Sequence, residues 1–139
     1  MAKKYVCLAD IESIRVPYST FNAALKELSK FGEIVSCKFY GYSGKRTRDY
    51  AEFIEENSYE ALSPLSGKRR GQLDMRQVID AVSLSQNPNV DGFFLIYGNG
   101  DLTPLIAYLK AFNIEVIAGV VEPDQNSVLC NKTIILKVE

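Results

Sequence analysis

The stretch Leu95-Ile96-Tyr97-Gly98-Asn99-Gly100-Asp101-Leu102-Thr103-Pro104-Leu105 joins a buried strand to a helix through a turn that carries an acid. The apolar run over 93–96 reads as strand, Gly98-Asn99-Gly100 breaks it, and a helical pattern starts at Asp101. In open α/β sheets, ligands bind outside the carboxyl ends of strands, at turns of this kind. A second apolar run, over 5–9, closes on Asp10, so two strand ends carry carboxylates.

Outward from this junction, strands are expected over 5–9, 33–40, 93–96, 114–118 and 133–138. Between them, Ser19 or Thr20 caps a helix with Phe21, Ala24, Leu25 and Leu28 at helical spacing, ending before Gly32. Weak helix character covers 49–59, helices are expected over 74–85 and 102–112, and a helical turn falls near 124–129. Strands alternating with helices imply a three-layer α/β/α sandwich with a mostly parallel sheet of about five strands. At 139 residues, one domain is expected. The tetrapeptide Ser-Gly-Lys-Arg occurs at 43 and again at 66, too short a match to make a repeat.

Composition narrows the chemistry. Sixteen basic against seventeen acidic residues leave a net charge of −1, which does not mark a polyanion binder by bulk electrostatics. No window approaches the roughly 18 apolar residues of a membrane span. Met1-Ala2-Lys3-Lys4 runs into a strand-like segment and not a signal core, so a cytoplasmic protein is expected. Cys7, Cys37 and Cys130 have no metal-ligand spacing, and Cys7 and Cys37 read as buried free thiols. The chain has no histidine. That removes Ser-His-Asp and Cys-His nucleophiles and most zinc sites, leaving carboxylates, lysines, tyrosines or an oxygen-ligated metal.

Gly98-x-Gly100 is a poor dinucleotide fingerprint, because Thr103 stands where the third glycine belongs and the acid would repel a pyrophosphate. Singly, the acids have structural roles. Asp101 can cap the helix that follows, and Asp74 with Gln77 fits a variant capping box. Asp80 lies roughly 120° around the helix from Asp74 and off the Val78/Ile79/Val82 stripe. Together they suggest more. If the strands ending at Asp10 and at the Asn99/Asp101 turn are neighbours, their acids converge at one sheet edge, with Asp74 at the same rim. Carboxylates without histidine favour a hard divalent cation, Mg²⁺ or Mn²⁺. Lys45, Arg46 and Arg48, with Lys68, Arg69 and Arg70, could supply phosphate contacts to a nucleic acid, or be solvated loops. Tyr42, Tyr50, Phe53 and Tyr59 could stack on bases or pack a small helix onto the sheet.

The ordered set of pieces resembles the NYN domain, the LabA-like branch of the PIN-like nuclease superfamily, over essentially the whole chain. Leu8-Ala9-Asp10-Ile11-Glu12-Ser13 stands where that family has an Ile-Asp-Gly-x-Asn-like strand end, and Phe39-Tyr40-Gly41 matches its Tyr-Gly. Arg70-Gly71-Gln72-Leu73-Asp74 with Asp80 matches a Lys-Gly-Val-Asp and the acid in its helix. Residues 97–105 match a Ser-Gly-Asp-Ser-Asp-Phe-x-Pro-Leu signature, and Ser127-Val128-Leu129 the ending. The resemblance implies a PIN-like fold and a divalent-metal ribonuclease. Asp10, Asp74, Asn99 and Asp101 would form the metal site, Asp80 and Asp101 would orient water, and Lys45, Arg46 and Lys68 to Arg70 would bind RNA. In the family pattern Ser13 replaces an asparagine, Ile11 a glycine, and Asn99 a metal-site acid. Losing one charge weakens divalent-ion binding. The rival expectation is the same fold with its metal site eroded, an RNA-binding or protein-interaction module with a second copy or another protein as partner. A receiver- or flavodoxin-type ligand domain would need a phosphoacceptor acid or flavin loop that the chain does not display.

Overall fold

The computed structural model describes residues 2–69 and 71–138. Among them six strands form one all-parallel sheet: β1 (Lys3–Asp10), β2 (Gly32–Tyr40), β3 (Glu60–Leu62), β4 (Gly92–Ile96), β5 (Glu115–Val120) and β6 (Lys132–Ile135), in the order β3-β2-β1-β4-β5-β6. The helices are α1 (Tyr18–Leu28), α2 (Ala51–Asn57), α3 (Met75–Leu84) and α4 (Thr103–Ala111). Five strands were expected; β3 is the sixth. Its three residues pair with the end of β2 and are too few to show an alternating pattern.

Side-chain alternation along the strands builds two cores. Tyr5, Cys7, Ala9, Phe94, Ile96 and Ile117 face α1 and α2, while Val6, Leu8, Phe93, Leu95, Val116 and Ala118 face α3 and α4. A strand buried on both faces reads as a continuous apolar run, which is why β1 and β4 were legible in the sequence. The aromatic segment after β2 belongs to the first core. Tyr50 is fully buried, donates to the Val16 carbonyl (2.7 Å) and stacks with Phe21, Phe39 and Tyr18, and Phe53 joins the cluster. Packing, and not base stacking, accounts for Tyr50 and Phe53. Cys7 and Cys37 are free and buried, as expected.

On α1, the expected face of Phe21, Ala24, Leu25 and Leu28 is buried. α3 departs from expectation. Its buried residues are Gln77 and Ala81, whereas Ile79 is 63% exposed and Val82 37% exposed. Val78 stays partly buried against the second core, while Ile79 and Val82 face solvent because the helix is rotated to put Gln77 against the sheet.

The order reverses between β1 and β4: the chain moves outward through β2 and β3 on one side, and through β5 and β6 on the other. This is a topological switch point, where the flanking loops part and leave a crevice at the carboxyl ends. In register, Leu8 pairs with Leu95 and Ala9 with Ile96, so Asp10 and the turn after β4 leave the sheet side by side.

Candidate functional site

Three loops meet over the switch point: that of Asp10 to Ser13, the loop residues 68–69 and 71–73, and the turn at Gly98 and Asn99. The Asn99 amide donates to the Gly71 carbonyl (2.6 Å) and the Leu73 amide to the Asn99 carbonyl (3.0 Å), a short parallel bridge. Gly98 is required by this closeness. A Cβ there would stand 2.7 Å from the Gln72 carbonyl oxygen and 2.8 Å from the Ser13 hydroxyl. From the other side Asn126, buried, accepts from the Leu102 amide (3.0 Å) and donates to the Gly100 carbonyl (2.8 Å), which caps α4 and fixes the turn.

Asp10 is buried at the centre. It accepts from the amides of Glu12 (3.2 Å) and Ser13 (3.0 Å) and from the Ser13 hydroxyl (2.6 Å). Burial raises its pKa above the usual carboxylate range, against the opposing pull of the Ser13 hydrogen bonds and the Lys68 charge. Lys68 reaches the loop and donates to the Ser13 hydroxyl (3.2 Å).

Asp74, also buried, is the N-cap of α3, accepting from the Arg76 amide (3.0 Å). The expected partner in a capping box, Gln77, is elsewhere. The Arg76 side chain takes both carboxylate oxygens in a fork, Nε to Oδ1 at 3.0 Å and Nη2 to Oδ2 at 2.7 Å, and Nη2 also donates to the Ser63 carbonyl (2.9 Å). Burial pushes the Asp74 carboxyl up, but the Arg76 hydrogen bonds outweigh it, and the pKa lies below the usual range. The Lys68 charge acts on Asp74 as well as on Asp10, and the Asp10 charge acts on Arg76. The two buried acids and the two cations therefore form one electrostatic group.

The other expected acids stand apart from this group. Asp80 accepts from the Tyr40 hydroxyl (2.7 Å) and pairs with Lys38 (2.9 Å), both on β2. Asp101 is exposed, with its carboxylate on the Thr103 amide (2.9 Å), and hydrogen bonding from Thr103, from its hydroxyl first and then its amide, lowers its pKa. Asn99 is exposed. Among the described residues, no three acidic or cysteine side chains come together as a metal-holding group. As arranged, the donor set fits a divalent cation poorly: Arg76 holds both oxygens of Asp74, Ser13 bonds both oxygens of Asp10, and Asn99 brings no charge.

Cations surround the crevice. Arg15 follows β1, Lys45 and Arg46 follow β2, and Lys68 and Arg69 follow β3, so all lie on loops at the carboxyl edge; only Lys68 is partly buried. Arg15 and Arg46 share a cavity of about 170 Å³ with Ile11 and Thr47, and Asp49 on its rim. Arg70 lies outside the described residues. Arg15, Arg76 and Asn126 carry no mark of a role in the sequence, and Gln77 reads there as a capping-box residue only. Gln77 is buried and donates to the carbonyls of Leu8 (2.9 Å) and Ile96 (2.8 Å), tying the ends of β1 and β4, while its Oε1 has no partner. The signal available was its spacing: Gln77 and Ala81 stand four apart on one helical face, with Leu84 a further three.

Two comparisons bear on what the site is for. The family described as NYN domain matches over residues 4–136. No curated protein matches the chain.

Proposed function

This chain belongs to the NYN domain family, within the PIN-like nuclease superfamily, and on that premise we propose that it binds RNA along the carboxyl edge of its sheet with metal-dependent hydrolysis suppressed by its own side chains. The observation that carries this reading is the Arg76 guanidinium clamped on buried Asp74, with Lys68 beside Asp10. A divalent ion would have to displace a bidentate pair, and would then find a carbonyl oxygen at Asn99 where a charge is wanted. With the buried acids neutralised from within, Arg15, Lys45, Arg46 and Arg69 supply the excess positive charge that phosphate contacts need.

Weak metal-dependent ribonuclease activity is the second reading, and Asp10 favours it: a buried carboxylate with a raised pKa in a crevice is typical of functional sites. Fluorescence anisotropy with a labelled single-stranded RNA oligonucleotide tests the first reading. Binding in EDTA, weakened by salt and by the double variant Lys68→Ala/Arg69→Ala, is expected. RNA that binds only when Mn²⁺ is added supports the second reading instead.

A further inference from the structure

At the end of the sheet opposite the crevice, the strand starts gather basic side chains. Lys3 opens β1, Glu115 opens β5 and Lys132 opens β6, while Lys110 comes from the last turn of α4. With Asn113 and Asn131 they line an open cavity of about 420 Å³. Glu115 is buried, is the one acid lining the cavity among the described residues, and has both oxygens engaged. Its Oε1 accepts from Lys3 (3.0 Å) and from the Tyr5 hydroxyl (2.7 Å), and its Oε2 from Lys132 (2.5 Å). Tyr5 reaches it because the ring lies between Gly32 and Gly92, where a Cβ on either would stand 2.8 Å from a ring carbon. Lys132 is held further by the Phe31 ring, its ammonium 4.9 Å from the centroid.

What this cavity offers a ligand is donors. An ammonium has three N–H groups. Lys3 and Lys132 each spend one on Glu115, and Lys110 spends one on the Leu129 carbonyl (2.9 Å), so two remain on each. The Asn131 Oδ1 accepts from the Val116 amide (2.9 Å), which fixes the side-chain orientation and leaves its NH₂ free among the described residues. Three cations against one carboxylate leave two positive charges uncompensated, in a chain whose net charge is −1.

We propose that this cavity binds a phosphate group, free or carried on a small organic molecule. A phosphate monoester brings about −1.5 to −2 of charge and three strong acceptor oxygens, which answers both the excess charge and the donor lining. Lysine binds phosphate as a point charge, whereas the planar carboxylate is better matched by the arginine fork. A volume of about 420 Å³ equals roughly fourteen waters, so a phosphate leaves room for the body of a small molecule. Because Glu115 holds Lys3 and Lys132 in place beforehand, less side-chain freedom is lost on binding. Seven residue steps along β1, from Lys3 to Asp10, put the cavity roughly 23 Å from the crevice, so the two sites are separate.

Titration of ¹⁵N-labelled protein with inorganic phosphate and with ribose 5-phosphate, at matched ionic strength, tests the assignment. Binding should saturate below about 10 mM and shift the amides of Asn113, Glu115, Asn131 and Lys132. Tighter binding of ribose 5-phosphate assigns the site to an organic ester and equal binding to free phosphate, and ribose alone should shift nothing. Lys3→Met/Lys110→Met leaves Lys132 and Tyr5 on Glu115 and should bind at least about 10-fold more weakly. Lys110→Met alone, which loses only the bond to Leu129, should already weaken binding. Lys26→Met/Lys30→Met, removing two exposed lysines elsewhere, should bind like wild type. Shifts that grow without saturation, or an equal loss in the Lys26/Lys30 variant, overturn the proposal. Displacement of the phosphate by single-stranded RNA also overturns it, because the lysines would then belong to the RNA path.

Discussion

Replacing Arg76 by methionine removes the cation from Asp74 while keeping much of the side chain's length. Breaking a buried ion pair by deleting one partner costs about 3–5 kcal/mol, because a buried charge is left uncompensated. Here Asp74 is 2% exposed but Arg76 is 27% exposed, and the carboxylate keeps its bond from the backbone amide of residue 76. Solvent screening and the surviving cap reduce the loss to about 2 kcal/mol. For a chain of this length that is a fall in Tm of roughly 8 °C. The pH dependence has a definite sign. The folded Asp74 pKa is lowered, so the pair's contribution is present above the unfolded carboxyl pKa and lost as pH falls through the folded one. The gap between wild type and variant should therefore close on acidification. The freed carboxylate also becomes available to a cation: Mn²⁺ at 100 times its Kd would return about 2.7 kcal/mol to the variant. Urea and thermal melts with and without millimolar Mn²⁺ measure both effects. An unchanged Tm in Arg76→Met, or equal Mn²⁺ shifts in variant and wild type, would refute the argument that this cation guards the site.

Further outcomes follow from the same charges. Asp10→Asn should raise Tm at pH 7, because the folded carboxyl pKa is raised by burial and wild-type stability falls as pH rises through the carboxylate range; the amide can still accept from Ser13 and does not ionise. A lower Tm in that variant would show the hydrogen bonds outweighing burial. At the opposite end of the sheet, Glu115 is buried among Lys132, Tyr5 and Lys3, which overcome the effect of burial and hold its pKa at about 2. Its contribution, about 1–2 kcal/mol once solvent screening by the exposed lysines is allowed for, is present above the ordinary glutamate pKa and lost between roughly pH 4.5 and 2, so Glu115→Gln should flatten the acid limb of the stability curve. For single-stranded RNA, the salt slope of binding should drop by about 1.4 in Arg46→Ala/Arg69→Ala, about 0.7 for each lost phosphate contact, and an unchanged slope would place the RNA elsewhere.

Much of this organisation is legible in the chain. β1 and β4 announce themselves as apolar runs ending in Asp10 and in the Gly98–Gly100 turn, but their adjacency is conditional in the sequence and is set only by the sheet order. β3 is invisible because three residues carry no period. The stripe of Val78, Ile79 and Val82 misleads because an apolar helix face records burial without recording what buries it; here Gln77 takes the inward position to satisfy two strand-end carbonyls. Asp74 and Asp10 were identifiable as rim acids, but their neutralisation was not. Arg76 is two residues from Asp74 and reads as an ordinary helical arginine, and Lys68 reaches Ser13 across 55 positions of sequence. Side-chain pairing of that kind exists only once the loops have been brought together.

The most direct measurement is a gel assay of labelled RNA incubated with excess Mn²⁺, comparing wild type with the double variant Asn99→Asp/Arg76→Met. Wild-type protein should leave the RNA intact at concentrations where it is fully bound, and the double variant, with a charge restored at 99 and the cation removed from Asp74, should cut it. Wild-type cleavage that is lost in Asp10→Asn would rule out suppression by Arg76 and Lys68 and make this chain a working metal-dependent ribonuclease.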